Sequence, residues 1–252
     1  MAHRKYKTIR AVIPRYVGNK TLLGALELMR HLTNWISTSV RERNRRENLD
    51  GLWDTAVFEP GHYIENQAQW GRIRFGNGKH GNMAYSGCEI IATCNGLLAL
   101  GEKNDAASMA ELISFYEKDG ALLNGEFGVS PGAIRDFFRK RGYEVSGTDS
   151  RDPEVLDIFG TGASVLIVTA WNDRDDIMAQ IHTVCMTKSE RGGFLVHNAY
   201  RHSGGRYLAR DAGGEGYATL TEAIAAMHPG AAPVYTLSVR RPASTACPQS
   251  PT

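Results

Sequence analysis

The stretch that decides the fold of this chain is Gly81-Asn82-Met83-Ala84-Tyr85-Ser86-Gly87-Cys88-Glu89-Ile90-Ile91-Ala92-Thr93-Cys94-Asn95-Gly96-Leu97-Leu98-Ala99-Leu100. A loop punctuated by glycines ends at Cys88, and apolar residues then recur at helical spacing, which predicts a buried helix with Cys88 in its first turn. Free N–H groups and the helix dipole lower a cysteine pKa at such a position. Cys88 is therefore a candidate nucleophile, although a cysteine beside a hydrophobic helix is more often a small packing residue.

Composition is that of a globular chain with a core of ordinary size. The 252 residues are 42% hydrophobic and carry a formal net charge of +2, which gives no reason to expect a nucleic-acid partner. Neither CxxC spacing nor a Cys/His cluster is present, so we expect no disulfide framework, no metal and no cofactor. Without a signal-peptide core or a run of ~18 apolar residues, no membrane span is expected. The expected location is cytoplasmic, with leaderless secretion left open. The sequence does not indicate the oligomeric state.

The N-terminal part, residues 1–55, is interpreted as a basic extension that contains a helix. One amphipathic helix is predicted over residues 21–40, and the mixed charges of residues 41–48 indicate a solvated helix end or linker. This extension could be a pro-segment, a docking arm or a structural cap. A cap is favoured, because the apolar stripe of the helix must be buried somewhere.

Residues 56–240 are predicted to form one α+β domain, with helices first and antiparallel strands second. An irregular segment over residues 50–80 precedes the Cys88 helix. Two further helices are predicted over residues 108–118 and 130–141, then strands over 143–145, 164–170, 181–186, 193–198 and 234–239. A helical turn over 153–159, a glycine-rich surface loop over 201–216 and a short helix over 221–227 complete the domain. Residues 241–252 are expected to be a disordered tail.

A cysteine nucleophile needs an oriented base and an oxyanion donor. The strands over 181–186 and 193–198 read as a β-hairpin, and antiparallel pairing would bring His182 at the start of the first close to Asn198 at the end of the second. Asn82, six residues before Cys88, is a candidate amide donor to the oxyanion. Alternatively, His182 and His197 are strand histidines with their hydrogen bonds satisfied, and Asn198 is a turn former.

Several segments, in this order and spacing, resemble the papain-like cysteine peptidases of the bacteriocin-processing, double-glycine-leader type. The resemblance covers residues 60–240. It rests on Gln67-Ala68-Gln69-Trp70-Gly71, Tyr85-Ser86-Gly87-Cys88, Gly142-Tyr143-Glu144-Val145, His182, Val196-His197-Asn198-Ala199 and Thr219-Leu220-Thr221-Glu222.

This resemblance implies a papain-like fold, in which a helical lobe carries the nucleophile and an antiparallel β lobe carries the base. By position, it implies that Cys88 is the nucleophile, His182 the general base, Asn198 the residue that orients the imidazole and Asn82 the oxyanion amide. The chain departs from the family pattern at Asn82, where Gln is usual, and at Glu89, where a small residue is usual. A carboxylate at position 89 would oppose thiolate formation if it faced the sulfur.

The sequence thus favours a cysteine peptidase or amidohydrolase that cleaves a peptide or peptide-like amide through an acyl-enzyme. The expected substrate is a peptide or protein. Two other hypotheses stay open. One is a catalytically inactive papain-like module that binds a peptide or protein, and the other is a cysteine-dependent acyltransferase that uses the same triad. Cys94 and Cys185 are interpreted as core residues.

Overall fold

The computed structural model describes residues 17–54, 58–176, 180–201, 206–210, 215–228 and 230–242, with the backbone alone for 200, 201 and 206–210. Within these ranges the chain is α+β. The helices are α1 (Asn19–Thr33), α2 (Thr38–Leu52), α3 (Met83–Ser86), α4 (Cys88–Ala99), α5 (Ala106–Asp119), α6 (Pro131–Lys140), α7 (Pro153–Thr161) and α8 (Leu220–Met227), and short 3₁₀ turns lie at Gln67–Trp70 and Leu123–Gly125.

In the described part of the chain, the β half is one antiparallel sheet of six strands. The strands are β1 (Glu144–Thr148), β2 (Val165–Trp171), β3 (Ile181–Lys188), β4 (Phe194–Arg201), β5 (Arg206–Arg210) and β6 (Ala232–Arg240), in the spatial order β1-β6-β2-β3-β4-β5. Every pair is antiparallel. The predicted hairpin is β3 and β4, in which Cys185 pairs with His197.

Each face of this sheet is covered by helices. On one face α4 packs mainly across β3, with α5 and α6 behind it, around Ile90, Ile91, Phe138, Ile167 and Cys185. On the other face α7 and α8 cover a second cluster, which includes Leu166, Val168, Val184, Met186 and Val196. Because side chains alternate along a strand, neighbours in β2 and β3 supply different cores. The almost continuously apolar sequence of β2, which is buried throughout, has this origin.

The prediction of one helix over residues 21–40 is wrong. The chain leaves the helical conformation at Asn34, whose side chain donates to the carbonyls of Glu117 and Lys118, and Ser37 then caps α2 by accepting from the Val40 N–H. Helix α2 therefore runs straight through the charged residues 41–48, which were expected to be a solvated end or linker. Asn44 and Asn48 are fully buried there.

Other boundaries are close to those predicted, with two differences. Helix α5 begins at Ala106, two residues before the predicted start, and is capped by Asp105, which forms a capping box with Ser108. The expected loop over 201–216 contains strand β5, which pairs with β4. Helix α6 begins at Pro131 behind the Ser130 cap, as predicted. The predicted disordered tail lies outside the described residues from 243 onward.

Candidate active site

Cys88 opens helix α4, as predicted, and lies at the floor of a cleft. The cleft is narrow, with a cavity volume of about 60 Å³, and Thr169 and Ile181 of the sheet line it together with Cys88 and Glu89. Tyr85 and Phe127 stand at its exposed parts, 43% and 48% accessible to solvent. The nucleophile candidate therefore sits where the helical half meets the first residues of β3.

The electrostatic surroundings of Cys88 differ from the expectation of a low pKa. Burial, the negative charge of Glu89 and a hydrogen bond with its side chain raise the pKa of the thiol well above its ordinary value. The N–H groups of Thr183 and Glu89 favour the thiolate but do not offset these effects. Desolvation thus outweighs the helix N-terminus, and Cys88 is a neutral thiol at pH 7.

Glu89 is itself a buried carboxyl group, 6% exposed. Burial raises its pKa to about 7, although its own N–H, the Cys88 thiol and the Val129 N–H favour the charged form. Its Oε2 atom has no hydrogen-bond partner among the described residues. Gly128, at φ +74°, leaves the room that this carboxyl group occupies, since a Cβ there would lie 2.8 Å from Oε2.

His182 and Asn198 are brought together, as predicted, but through the main chain. The ring Nε2 of His182 lies 2.7 Å from the backbone carbonyl oxygen of Asn198. A carbonyl can only accept, so Nε2 carries the hydrogen and Nδ1 is the basic nitrogen of the neutral ring. Burial lowers the pKa of His182 to about 4, while the Asn198 carbonyl acts to raise it. By strand alternation the ring shares its face of the sheet with Ala170 and Val184, which is the face that α7 and α8 cover, whereas Cys88 opens α4 on the other face.

The side chain of Asn198 is fully buried and bonds to Gln67. Its Oδ1 accepts from the Gln67 N–H at 3.0 Å, and its Nδ2 donates to Gln67 Oε1 at 3.2 Å. The Asn198 N–H donates to Glu65 Oε2. These bonds hold Asn198 in the left-handed region, at φ +61°, where the register of β4 with β5 shifts. The irregular backbone turns the Asn198 carbonyl toward His182.

Asn82 does not have the surroundings expected of an oxyanion amide. It is the N-cap of α3, because its Oδ1 accepts from the Tyr85 N–H at 3.0 Å. Its Nδ2 donates to the His80 carbonyl. Both polar atoms of the side chain thus satisfy local backbone, and the structure assigns Asn82 a capping role.

The remaining candidates are structural. His197 is buried, with Nδ1 2.7 Å from Glu65 Oε1 and Nε2 2.9 Å from Thr187 Oγ1, and its ring stacks on Tyr63. Cys94 and Cys185 are buried core residues, as predicted, and burial raises the pKa of Cys94 to about 12.

Sequence reasoning missed the residues that hold the site from outside the hairpin. Glu65 bonds to both His197 and Asn198, and Gln67 pairs with the Asn198 amide. Gln67 stands in one of the quoted motifs, so that motif carried a signal. Glu65 lies in an irregular stretch, where neither periodicity nor spacing distinguishes it.

Within the described ranges, no group of three or more His, Cys, Asp or Glu side chains is placed to hold a metal ion. None of the described helices is both long and apolar enough to cross a bilayer. Comparisons with protein-family models, with curated proteins and with solved structures found no match to this chain. The functional argument therefore rests on the site itself.

Proposed function

We propose that this protein is a papain-like cysteine hydrolase that cleaves a peptide or peptide-like amide, with Cys88 as nucleophile and His182 as general base. The observation that carries the proposal is the bond between His182 Nε2 and the Asn198 carbonyl. This bond brings the predicted base and the predicted orienting residue together at the start of β3. The sulfur of Cys88 receives a hydrogen bond from Thr183, the next residue along that strand.

In this mechanism the His182 imidazole takes the thiol proton as Cys88 attacks the amide carbonyl carbon, which forms the C–S bond. The ring lies by strand alternation on the face covered by α7 and α8, so the step requires it to turn toward α4. The imidazolium then gives the proton to the leaving amine as the C–N bond breaks. Water, activated by the same imidazole, hydrolyses the thioester and releases the acid. Because Asn82 caps α3, the oxyanion donors in this scheme are the N–H groups of the first turn of α4, which lack intrahelical partners.

The raised pKa of Cys88 shapes the proposal. A stable thiolate–imidazolium pair, as in the usual activated cysteine, is disfavoured by burial and by Glu89. Proton transfer to His182 therefore accompanies attack instead of preceding it. We expect slow turnover with a simple amide and faster turnover with a substrate that neutralises Glu89.

A second function is favoured by the same electrostatics: a papain-like module that binds a peptide in the cleft without cleaving it. The neutral thiol of Cys88, the capping role of Asn82 and the cleft with exposed Tyr85 and Phe127 all suit such a module. The two functions share a binding site and differ only in whether His182 activates the sulfur.

The test is alkylation by substoichiometric iodoacetamide across pH, followed by intact-protein and peptide mass spectrometry. The hydrolase proposal predicts that Cys88 labels faster than the core residues Cys94 and Cys185, and that His182→Ala slows this labelling. Hydrolysis of a mixed fluorogenic peptide library, lost in Cys88→Ala, completes the evidence. If Cys88 labels at the same rate with and without His182 and no peptide is cleaved, the binding function replaces the hydrolase.

A further inference from the structure

The cleft beside Cys88 has a negative charge that the proposed chemistry does not use. Glu89 and Glu126 both line it, and no lysine, arginine or histidine is among the described residues that do so. Glu126 is already paired with His80. Glu89 is different, because its buried Oε2 has no hydrogen-bond partner among the described residues.

A buried carboxylate oxygen with no partner is costly, and proteins rarely keep one without a reason. The carboxyl group packs directly on the Gly128 backbone, since a Cβ there would lie 2.8 Å from Oε2. Tyr85 and Phe127 add exposed aromatic side chains to the same cleft. A buried carboxyl group and exposed aromatic side chains in one cleft match a ligand with an apolar stem and a positive end.

We infer that Glu89 is a specificity-determining residue, whose carboxylate accepts the ammonium group of a lysine side chain in the peptide bound at this cleft. The inference rests on the proposed function for the peptide itself. A single buried oxygen without a partner suits the point charge of an ammonium group. The planar fork of a guanidinium group is best matched by two oxygens, so lysine is preferred to arginine. The aliphatic part of the lysine lies against the aromatic rings.

The bound ammonium group also bears on the nucleophile. A positive charge beside Glu89 offsets the negative charge that disfavours the Cys88 thiolate. A lysine-containing substrate would thus assist its own cleavage, whereas a neutral peptide would find the thiol in its resting, protonated form. Selectivity is therefore expected in both binding and reaction.

The test uses three small probes: Nα-acetyl-lysine methylamide, its norleucine analogue and its arginine analogue. Each is titrated into the full-length protein and followed by ligand-observed NMR. We expect the lysine probe to bind at least tenfold more tightly than norleucine, with arginine between them. Glu89→Gln should bring the lysine-to-norleucine ratio close to one. Glu111→Gln, at an exposed glutamate that pairs with Arg45, is the matched control and should leave the ratio unchanged.

Equal binding of lysine and norleucine by the wild type, or a lysine preference that survives Glu89→Gln, would overturn the inference. Phe127→Leu guards against a Glu89 variant that does not fold, because Phe127 is half exposed and leucine keeps the apolar contact. Because the lysine and norleucine stems both lie against this ring, the variant should affect the two probes alike and keep the lysine-to-norleucine ratio. A ratio that falls toward one would place the ammonium group at Phe127 and overturn the inference.

Cys88→Ala separates this inference from the proposed function. The variant cannot form an acyl-enzyme but keeps Glu89, so its lysine preference should equal that of the wild type. A wild type that prefers lysine yet cleaves nothing would refute the hydrolase and leave the specificity of the cleft intact. A wild type that cleaves lysine and norleucine peptides equally well, with equal binding, would refute the inference alone.

Discussion

At the scale of single residues, Cys88 and Glu89 show how two adjacent buried groups set each other's protonation. The carboxylate raises the pKa of the thiol, and the thiol donates a hydrogen bond to the carboxylate. Neither effect could be predicted from the amino-acid sequence, because a position at a helix N-terminus predicts a lowered pKa for Cys88. What decides is that α4 begins in the interior.

We expect Glu89→Gln to make Cys88 more reactive. Removing the negative charge lowers the thiol pKa. At a fixed pH below the pKa, each unit by which the pKa falls raises the thiolate fraction about tenfold. The rate of iodoacetamide addition to Cys88, measured by mass spectrometry from pH 6 to pH 9, should rise severalfold. The control is Glu117→Gln, because Glu117 is also a buried carboxyl with its pKa raised to about 7 but does not contribute to the pKa of Cys88. Equal rates in all three proteins would contradict the assignment.

Asn198 gives a second prediction at this scale. Since its main-chain carbonyl orients His182, Asn198→Gly should keep the Nε2–H tautomer, because glycine adopts φ +61° without strain. Asn198→Ala places a Cβ in the left-handed region and should cost about 1 to 2 kcal/mol beyond the lost bonds to Gln67. The ¹⁵N chemical shifts of the His182 ring report the tautomer. A change of tautomer in the glycine variant would show that the amide side chain is the orienting group.

At the scale of elements, periodicity and capping residues predict some segments well and others poorly. Helices α4 and α6 and the β3–β4 hairpin are confirmed, because their apolar patterns match the layers that they fill. The break between α1 and α2 is set by Asn34, which bonds to the end of α5, more than eighty residues further along the chain. The register shift at Asn198 likewise depends on Glu65 and Gln67. Contacts this distant leave no local pattern.

The cap of α3 separates two roles for Asn82. Asn82→Asp keeps the acceptor that the Tyr85 N–H needs but removes the amide donor that an oxyanion would need. We expect Asn82→Asp to keep wild-type turnover and to lose less stability than Asn82→Ala, because aspartate keeps the cap but loses the Nδ2 bond to the His80 carbonyl. Asn82→Ala should lose about 1 kcal/mol of stability. Urea unfolding and peptide hydrolysis measure the two effects. A large loss of turnover in a fully folded Asn82→Asp variant would restore the oxyanion role.

At the scale of the whole molecule, α1 and α2 are packed into the domain that follows them. Ile36 and Leu52 belong to the same core as α4, and Leu26 lines the cleft. Asn44 of α2 donates to the Gly76 carbonyl and to Glu117. A structural cap requires such contacts. They are also compatible with a pro-segment that stays bound to the domain.

A chain that begins at residue 56 should therefore fold poorly. It would lose apolar contacts and leave the buried Glu117 without the Asn44 amide, a defect of the kind that costs several kcal/mol. We expect a large drop in melting temperature or insoluble protein. A pro-segment would instead be cleaved off during storage of the wild type and would stay attached in Cys88→Ala. A shortened species that forms equally in the wild type and in Cys88→Ala would exclude self-cleavage.

The pH dependence of stability follows from three buried groups. The pKa values of Glu89 and Glu117 are raised from 4.5 to about 7, so their contribution to stability is present below pH 4.5 and is lost as the pH rises toward 7. The pKa of His182 is lowered from 6.5 to about 4, so its contribution is present above pH 6.5 and is lost as the pH falls toward 4.

Together these groups predict a lower free energy of unfolding at pH 8 than at pH 5.5, by about 2 kcal/mol. Urea titrations at both pH values test this. Glu89→Gln and Glu117→Gln should each reduce the difference, and the double variant should reverse it, because the remaining His182 contribution is larger at pH 8 than at pH 5.5. A wild type that is more stable at pH 8 would mean that one of the two carboxyl groups is ionised in the folded protein.

Because the backbone carbonyl of Asn198 holds the imidazole, the orientation of the proposed base depends on the φ angle of residue 198 and not on its side-chain amide. Asparagine, glycine and aspartate are the residues that most readily accept that angle. Position 198 could therefore change its side chain during evolution, without loss of the base, whenever the replacement tolerates the left-handed backbone. A search for catalytic residues by side-chain identity would pass over such a relative, whereas a search for the backbone conformation would find it.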